Sequence, residues 1–260
     1  MIKLIASDMD GTLLNDKGEL PLEFYKVFKE LRKKNILFAA ASGRQYYTLA
    51  KTFETIQDEI IFIAENGTLV IYQGKEIALN PLDKKIAEKL IQKGRTIEGA
   101  NLVVCTKTGA YIETTSKRFI SEVEKYYVKY QVIDDLMQVE GDILKVTLCD
   151  FKGVETNTYP YFKDLKEDIH ICIAGEHWLD MMAKGVDKGL AIRNLQQLFN
   201  IKYEETMAFG DYLNDLEMLQ NAHYSYAMAN AHPKLKKAAR FIAKTNEENG
   251  VMEKIKELLE

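Results

Sequence analysis

The chain has 260 residues, 47% hydrophobic and 28% charged, and its 35 basic and 39 acidic side chains give a net charge of −4. That length suits one large domain or two modest ones and buries a core without disulfides or metal clips. The charge excludes general electrostatic attraction to nucleic acid or to an anionic membrane surface. Three cysteines without paired spacing (Cys105, Cys149, Cys172) read as buried thiols, and the first apolar run is cut by Asp8 and Asp10, too short for a signal peptide or a membrane span. A soluble cytoplasmic protein is expected.

Residues 3–8 read as a buried strand running into a loop. Pro21 sits where a first helical turn accepts it, and Phe24, Val27, Phe28 and Leu31 follow at helical spacing. Residues 36–41 form a second apolar run ending at Ser42-Gly43-Arg44, which opens a helix carrying Tyr46, Leu49, Ala50 and Phe53 on one face. A third run, 60–64, ends at Glu65-Asn66-Gly67. Strands that are apolar throughout and separated by amphipathic helices predict a parallel sheet covered on both faces. Residues 68–72 and 76–79 then predict a hairpin.

From 83 to 184 the rhythm changes. Helices are predicted over 83–94, 117–130 and 154–166, and strands over 101–105, 110–114, 142–149, 169–174 and 178–183. Adjacent strand pairs of this kind predict a largely antiparallel sheet with helices on one face. After Lys184-Gly185 the first rhythm resumes, with a helix from Lys188, a strand at 206–209, a helix over 214–221, a strand at 224–228, a helix started by Pro233, a strand at 241–243 and a terminal helix. The prediction is an α/β core built from residues 1–81 and 185–260, with an α+β domain of residues 82–184 inserted into it.

Four polar clusters lie where strands end or helices begin, all in the outer segments, and open α/β sheets bind ligands at the carboxyl ends of their strands. In Asp8-Met9-Asp10-Gly11-Thr12, two acids at i and i+2 project to one side, and carboxylates so close need a cation or a proton; an ordinary turn is the alternative. Ser42-Gly43-Arg44 offers a hydroxyl and free N–H groups for an anion, or simply a helix N-cap. Lys188-Gly189 sets a lysine against a helix dipole, which is unfavourable unless an anion lies between them. In Gly210-Asp211-Tyr212-Leu213-Asn214-Asp215, the oxygens of Asp211, Asn214 and Asp215, converging with Asp8, suit a hard cation such as Mg²⁺, although Asn214 and Asp215 would also serve as a helix cap.

Together with Glu65-Asn66-Gly67, Ala229-Asn230-Ala231 and Asn249-Gly250-Val251, these clusters resemble the haloacid-dehalogenase (HAD) superfamily, in its Cof type with a type IIB cap. The resemblance spans nearly the whole chain and implies a Rossmann-like, doubly wound parallel-sheet core with an inserted cap. It implies an enzyme that uses Mg²⁺ to hydrolyse phosphomonoesters of small metabolites, sugar phosphates or phosphorylated cofactors, through an aspartyl-phosphate. By that pattern Asp8 is the nucleophile and Asp10 the general acid and base. Asp8, the Asp10 carbonyl and Asp211 are the metal ligands, with Asp215 orienting them and Arg44 either touching phosphate or bracing its loop. The Met9 backbone, Ser42, Gly43, Lys188 and Asn214 hold the phosphoryl oxygens. Glu65 and Asn66 organise the edge of the site.

In the inserted domain Lys107, His177 and Trp178 are candidates to face substrate, each with an ordinary surface or core position as the alternative. His170, His223 and His232 show no metal-ligand spacing. The expected partner is a small phosphorylated molecule, not nucleic acid or membrane. A phosphomutase, or a phosphate-binding protein without catalysis, would share the same motifs. Neither the dinucleotide nor the P-loop glycine pattern occurs.

Overall fold

The computed structural model describes residues 1–260. In chain order its first part comprises β1 (Leu4–Asp8), α1 (Phe24–Lys33), β2 (Leu37–Ala41), α2 (Tyr46–Thr52), β3 (Ile61–Ala64), β4 (Leu69–Tyr72) and β5 (Lys75–Leu79). The middle part comprises α3 (Lys84–Gly94), β6 (Ala100–Thr106), β7 (Gly109–Ile112), α4 (Lys117–Tyr126), β8 (Tyr130–Val132), β9 (Ile143–Asp150), α5 (Tyr159–Phe162), β10 (Ile169–Ile173) and β11 (Trp178–Ala183). The last part comprises α6 (Lys188–Leu198), β12 (Thr206–Gly210), α7 (Leu216–Gln220), β13 (Tyr224–Met228), α8 (Pro233–Ala238), β14 (Phe241–Ala243) and α9 (Gly250–Leu259). No helix is long and apolar enough to cross a membrane.

Eight strands form one sheet in the order β14-β13-β12-β1-β2-β3-β4-β5. The six from β14 to β3 are parallel, and the β4–β5 hairpin extends the sheet antiparallel from β3. Leu4, Ile5, Ala6, Phe38 to Ala41 and Ile61 to Ala64 are buried on both sides, as a sheet with helices on each face requires. One of those helices, α1, turns Phe24, Val27, Phe28 and Leu31 inward, and the Phe24 ring packs on Phe28, Phe38 and Phe53. β1 lies between β2, which follows it in the chain, and β12, which comes two hundred residues later. The strand order therefore reverses at β1, and a crevice opens beyond the carboxyl ends of β1, β2 and β12. This is the α/β, doubly wound architecture expected.

The second sheet has six strands in the order β10-β11-β9-β6-β7-β8, antiparallel except for the β7–β8 pair. Three details differ from the expectation. First, helices do not lie on one face only. Leu102 and Val104 of β6 pack with Leu90 and Ile91 of α3, whereas Val103 and Cys105 pack with Phe119 and Val123 of α4 and with Leu69 of the first sheet. Alternate side chains of a strand point to opposite faces, so an apolar run such as β6 is covered on both. Second, the helix predicted over 117–130 ends at Tyr126, and Tyr130–Val132 pairs with β7 as β8. Third, the helix predicted over 154–166 shrinks to α5 and one following turn. The Asp150 carboxylate accepts from Lys152 N, Asn157 Nδ2 and Thr158 Oγ1 and holds the preceding segment in turns, a local alternative to helical bonding.

Candidate active site

Asp8 is the last residue of β1 and is buried. The chain turns away sharply after it at Gly11, whose φ of 72° is in the left-handed region. A side chain there would also collide with Asp211, since a Cβ would stand 2.5 Å from its Oδ2. Asp211 follows β12, and Thr12 Oγ1 donates to its Oδ1 at 3.0 Å. Asp215 is fixed by the backbone, its Oδ2 accepting from Asp211 N at 3.0 Å and Tyr212 N at 3.2 Å. Gly210 is what admits it, because a Cβ at 210 would lie 2.5 Å from Asp215 Cβ. One carboxylate oxygen from each of Asp8, Asp211 and Asp215 falls within 4.8 Å of the others.

Lys188, the first residue of α6, is fully buried and reaches into this group. Its Nζ donates to Asp8 Oδ1 and to Asp215 Oδ1, each at 2.6 Å. The lysine at a helix start is thus met by two anions, which removes its conflict with the helix dipole. Burial opposes its charge, but Asp215 and Asp8 hold its pKa above the ordinary lysine value. Burial pushes the Asp8 carboxyl well above the usual range, Asp215 adds to the push, and Lys188 opposes it. Asp211 is pushed up to about 7 by burial and then by Asp215. With all three acids ionised, one ammonium leaves two negative charges uncompensated, the charge of one divalent ion, and a carboxylate-only donor set suits a hard one.

Other predicted residues fall around this cluster in ways the sequence did not fully specify. Ser42 does not cap a helix: α2 begins at Tyr46 with Gln45 in the cap position, and Ser42 Oγ accepts from Arg44 N at 3.0 Å. The Ser42–Arg44 loop is held by the next turn, where Asn66 N donates to Ser42 O and Glu65 N to Arg44 O. The Asp10 carboxylate is not one of the three acids that converge; it is held by Arg44, whose Nε donates to Asp10 Oδ2 at 2.7 Å and whose Nη2 pairs with Oδ1. Arg44 lies between Asp10 and the Tyr126 ring, 5.5 Å from its centroid. The Met9 side chain is buried in the core. Asn214 donates to Asn66 Oδ1 at 3.1 Å.

A cavity of about 310 Å³ lies over these groups. Its floor comes from the first sheet, including Asp8, Asp10, Ser42, Gly43, Asp211 and Asn214. Its roof comes from the second sheet and α4, with Tyr126, Tyr127, Lys145, Trp178 and Asp180. Of the three roof candidates, Trp178 lines the cavity. Lys107 instead pairs with Glu76, and His177 packs against Phe151, both outside it. Tyr126, Tyr127, Lys145 and Asp180 were missed. The signals in the sequence were a lysine within β9, Lys145, and the one charge of β11, Asp180.

A family model described as haloacid dehalogenase-like hydrolase matches residues 5–255. The chain belongs to the haloacid dehalogenase-like hydrolases. The Cof-type resemblance carried by its motifs falls within that family. This hydrolase is 33% identical to a 5-amino-6-(5-phospho-D-ribitylamino)uracil phosphatase of Escherichia coli K12, YbjI, in an alignment spanning 99% of this chain and 96% of the relative. It is 26% identical to an HMP-PP phosphatase of Shigella flexneri serotype 5b, over 91% of this chain and 87% of the relative. Among solved structures, SMU.1108c from Streptococcus mutans superposes with a TM-score of 0.93 at 28% identity, covering 100% of this chain and 99% of the other.

Proposed function

We propose that this hydrolase is a Mg²⁺-dependent phosphatase that removes the phosphoryl group of small phosphomonoesters through an aspartyl-phosphate on Asp8. The observation that carries the reading is the buried cluster at the sheet's switch point, in which Asp8 is oriented by Lys188 beside Asp211 and Asp215. The phosphatase names of the relatives support the reaction class, and their small phosphorylated substrates support the substrate class.

In this reading Asp8, Asp211 and the Asp10 carbonyl hold the metal, and Asp215 orients Lys188 and the turn at Asp211. Bound there, Mg²⁺ supplies charge compensation between a carboxylate nucleophile and a phosphate dianion. One Asp8 oxygen attacks phosphorus, the ester P–O bond breaks, and the leaving oxygen takes a proton from Asp10. A water molecule then attacks the phosphoryl group and gives a proton to Asp10. Inorganic phosphate departs and the Asp8 carboxylate is restored. Asp10 must first release Arg44, which fixes its carboxylate by two donors. Ser42 Oγ, the Gly43 N–H, the Met9 backbone, Lys188 and Asn214 hold the phosphoryl oxygens; positioning and charge stabilisation are most of what phosphoryl transfer asks of a protein. Residues 1–81 and 185–260 make the catalytic core, and residues 82–184 act as a cap that excludes water.

The test is release of inorganic phosphate from a chromogenic phosphomonoester and a panel of metabolite esters, with Mg²⁺ and with chelator. Release that requires Mg²⁺ and yields no isomerised ester supports a hydrolase over a phosphomutase. No release from any member of the panel overturns the reading.

A further inference from the structure

The mechanism leaves one buried charged group of the roof unused. Lys145 and Asp180, on the neighbouring strands β9 and β11, are 1% and 2% exposed. Lys145 Nζ donates to Gly43 O at 2.7 Å and to Asp180 Oδ2 at 2.9 Å, and lies 2.9 Å from Glu65 Oε2 without hydrogen-bond alignment. Asp180 Oδ2 also accepts from Asn66 Nδ2, whose own Oδ1 accepts from Asn214. Both donors to Asp180 therefore converge on one oxygen. The other, Oδ1, accepts no hydrogen bond from the protein, although Asp180 lines the cavity.

A carboxylate has room for about four hydrogen bonds, and Oδ1, which is not sealed off in the protein, keeps its share free for a group that enters the cavity. Asp180 lines the same cavity as Asp8 and Asp10, in which the leaving group of a phosphoester would lie on the phosphatase reading. Asp180 is also close to the phosphoryl end: a Cβ on Gly43 would be 3.4 Å from its Oδ2. The roof offers no free cation for a second phosphate, because Lys145 is engaged by Gly43, Asp180 and Glu65. A partner for a carboxylate oxygen in that place would be a neutral or cationic donor near the ester oxygen.

We propose that Asp180 is the specificity-determining residue for the leaving group, accepting through Oδ1 a hydrogen bond from a hydroxyl or N–H close to the phosphoester, with Lys145 as the positioning residue that holds it. This rests on the phosphatase reading. It assigns the substrate to phosphomonoesters of polyols or amino-bearing alcohols and selects against plain alkyl esters.

The test compares kcat/KM of the full chain with Mg²⁺ on glycerol 1-phosphate and on propyl phosphate, esters of similar size that differ in their hydroxyls. The wild type is expected to favour the glycerol ester by about ten- to a hundred-fold, the range of a hydrogen bond to a charged group. Asp180→Asn turns an N–H toward the cavity if its oxygen stays on Lys145, and is expected to cut that preference by about fivefold or more. The ratio is the readout, since disturbing Lys145 and Gly43 slows both esters alike. An equal loss on both, with the ratio intact, overturns the proposal. A wild type indifferent to the hydroxyls overturns it too, and needs no folded variant. A wild type inactive on both esters and on the chromogenic panel overturns the phosphatase reading, and this inference with it.

Discussion

Replacing Lys188 by methionine tests whether one ammonium holds the carboxylate cluster together. Lys188 is fully buried and pairs at 2.6 Å with two acids that are themselves buried, Asp8 and Asp215. Removing one partner of a buried ion pair costs about 3–5 kcal/mol, because the other charge is left uncompensated. Here two carboxylates are left, beside a third at Asp211, so the upper part of that range is expected in chelator at about pH 8. Protonation offers relief. Asp8 and Asp211 already have folded-state pKa values above those of free carboxyls, through burial and then Asp215. A group with a raised folded pKa contributes stability that is present at low pH and lost as pH rises through that pKa, which for Asp211 is about 7. The variant, lacking the opposing charge, should feel this more strongly. Its deficit is expected to shrink by about 1–3 kcal/mol between pH 8 and pH 6, at about 1.4 kcal/mol per pKa unit. Urea unfolding of both proteins in chelator at the two pH values measures it, with unchanged m-values as the control. A deficit below about 1 kcal/mol at the higher pH, or one that grows on acidification, refutes the electrostatic argument.

Three other substitutions and the addition of Mg²⁺ test the same geometry. Gly210→Ala puts a Cβ 2.5 Å from Asp215 Cβ, so a stability loss of about 1–3 kcal/mol and a kcat loss on the order of a hundred-fold are expected, measured by unfolding and steady-state kinetics. Gly67→Ala forces a side chain onto a φ of 97° and into the Asp187 carbonyl that precedes α6; a loss of about 3 kcal/mol or more is expected in urea unfolding, with the Mg²⁺ requirement unchanged. Mg²⁺ at about a hundred times its Kd should stabilise the protein by about 2.7 kcal/mol and raise Tm by about 5–10 °C, and Asp211→Asn should abolish most of that shift in a thermal scan.

The parts of the fold that the sequence disclosed are those whose burial follows from local pattern. Apolar runs such as Ile61–Ala64, bounded by polar turns, could only be covered strands, and Asp8 at the end of β1 and Asp211 just after β12 stood out because they interrupt such runs. What escaped depended on contacts between distant segments. In β9 and β11, Lys145 and Asp180 occupy positions whose neighbours point the other way, which reads as ordinary alternation toward solvent. Only the docking of the second sheet onto Gly43, Glu65 and Asn66 buries them. Asp10 is a similar case, since its pairing with Arg44 joins residues 34 positions apart. Residues 117–130 kept a helical character that stopped at Tyr126, because the Tyr130–Val132 segment finds a strand partner in β7 that helical spacing does not reveal.

The account stands or falls on Asp8 as the atom donor that takes up the phosphoryl group. The direct measurement is acid quenching of the Mg²⁺-loaded chain during turnover of a chromogenic phosphomonoester, followed by peptide mass spectrometry. A phosphoryl group on the Asp8 peptide, lost together with turnover in a folded Asp8→Asn variant, is the predicted result. Undiminished turnover by Asp8→Asn, or a phosphoryl group carried on another residue, would contradict it.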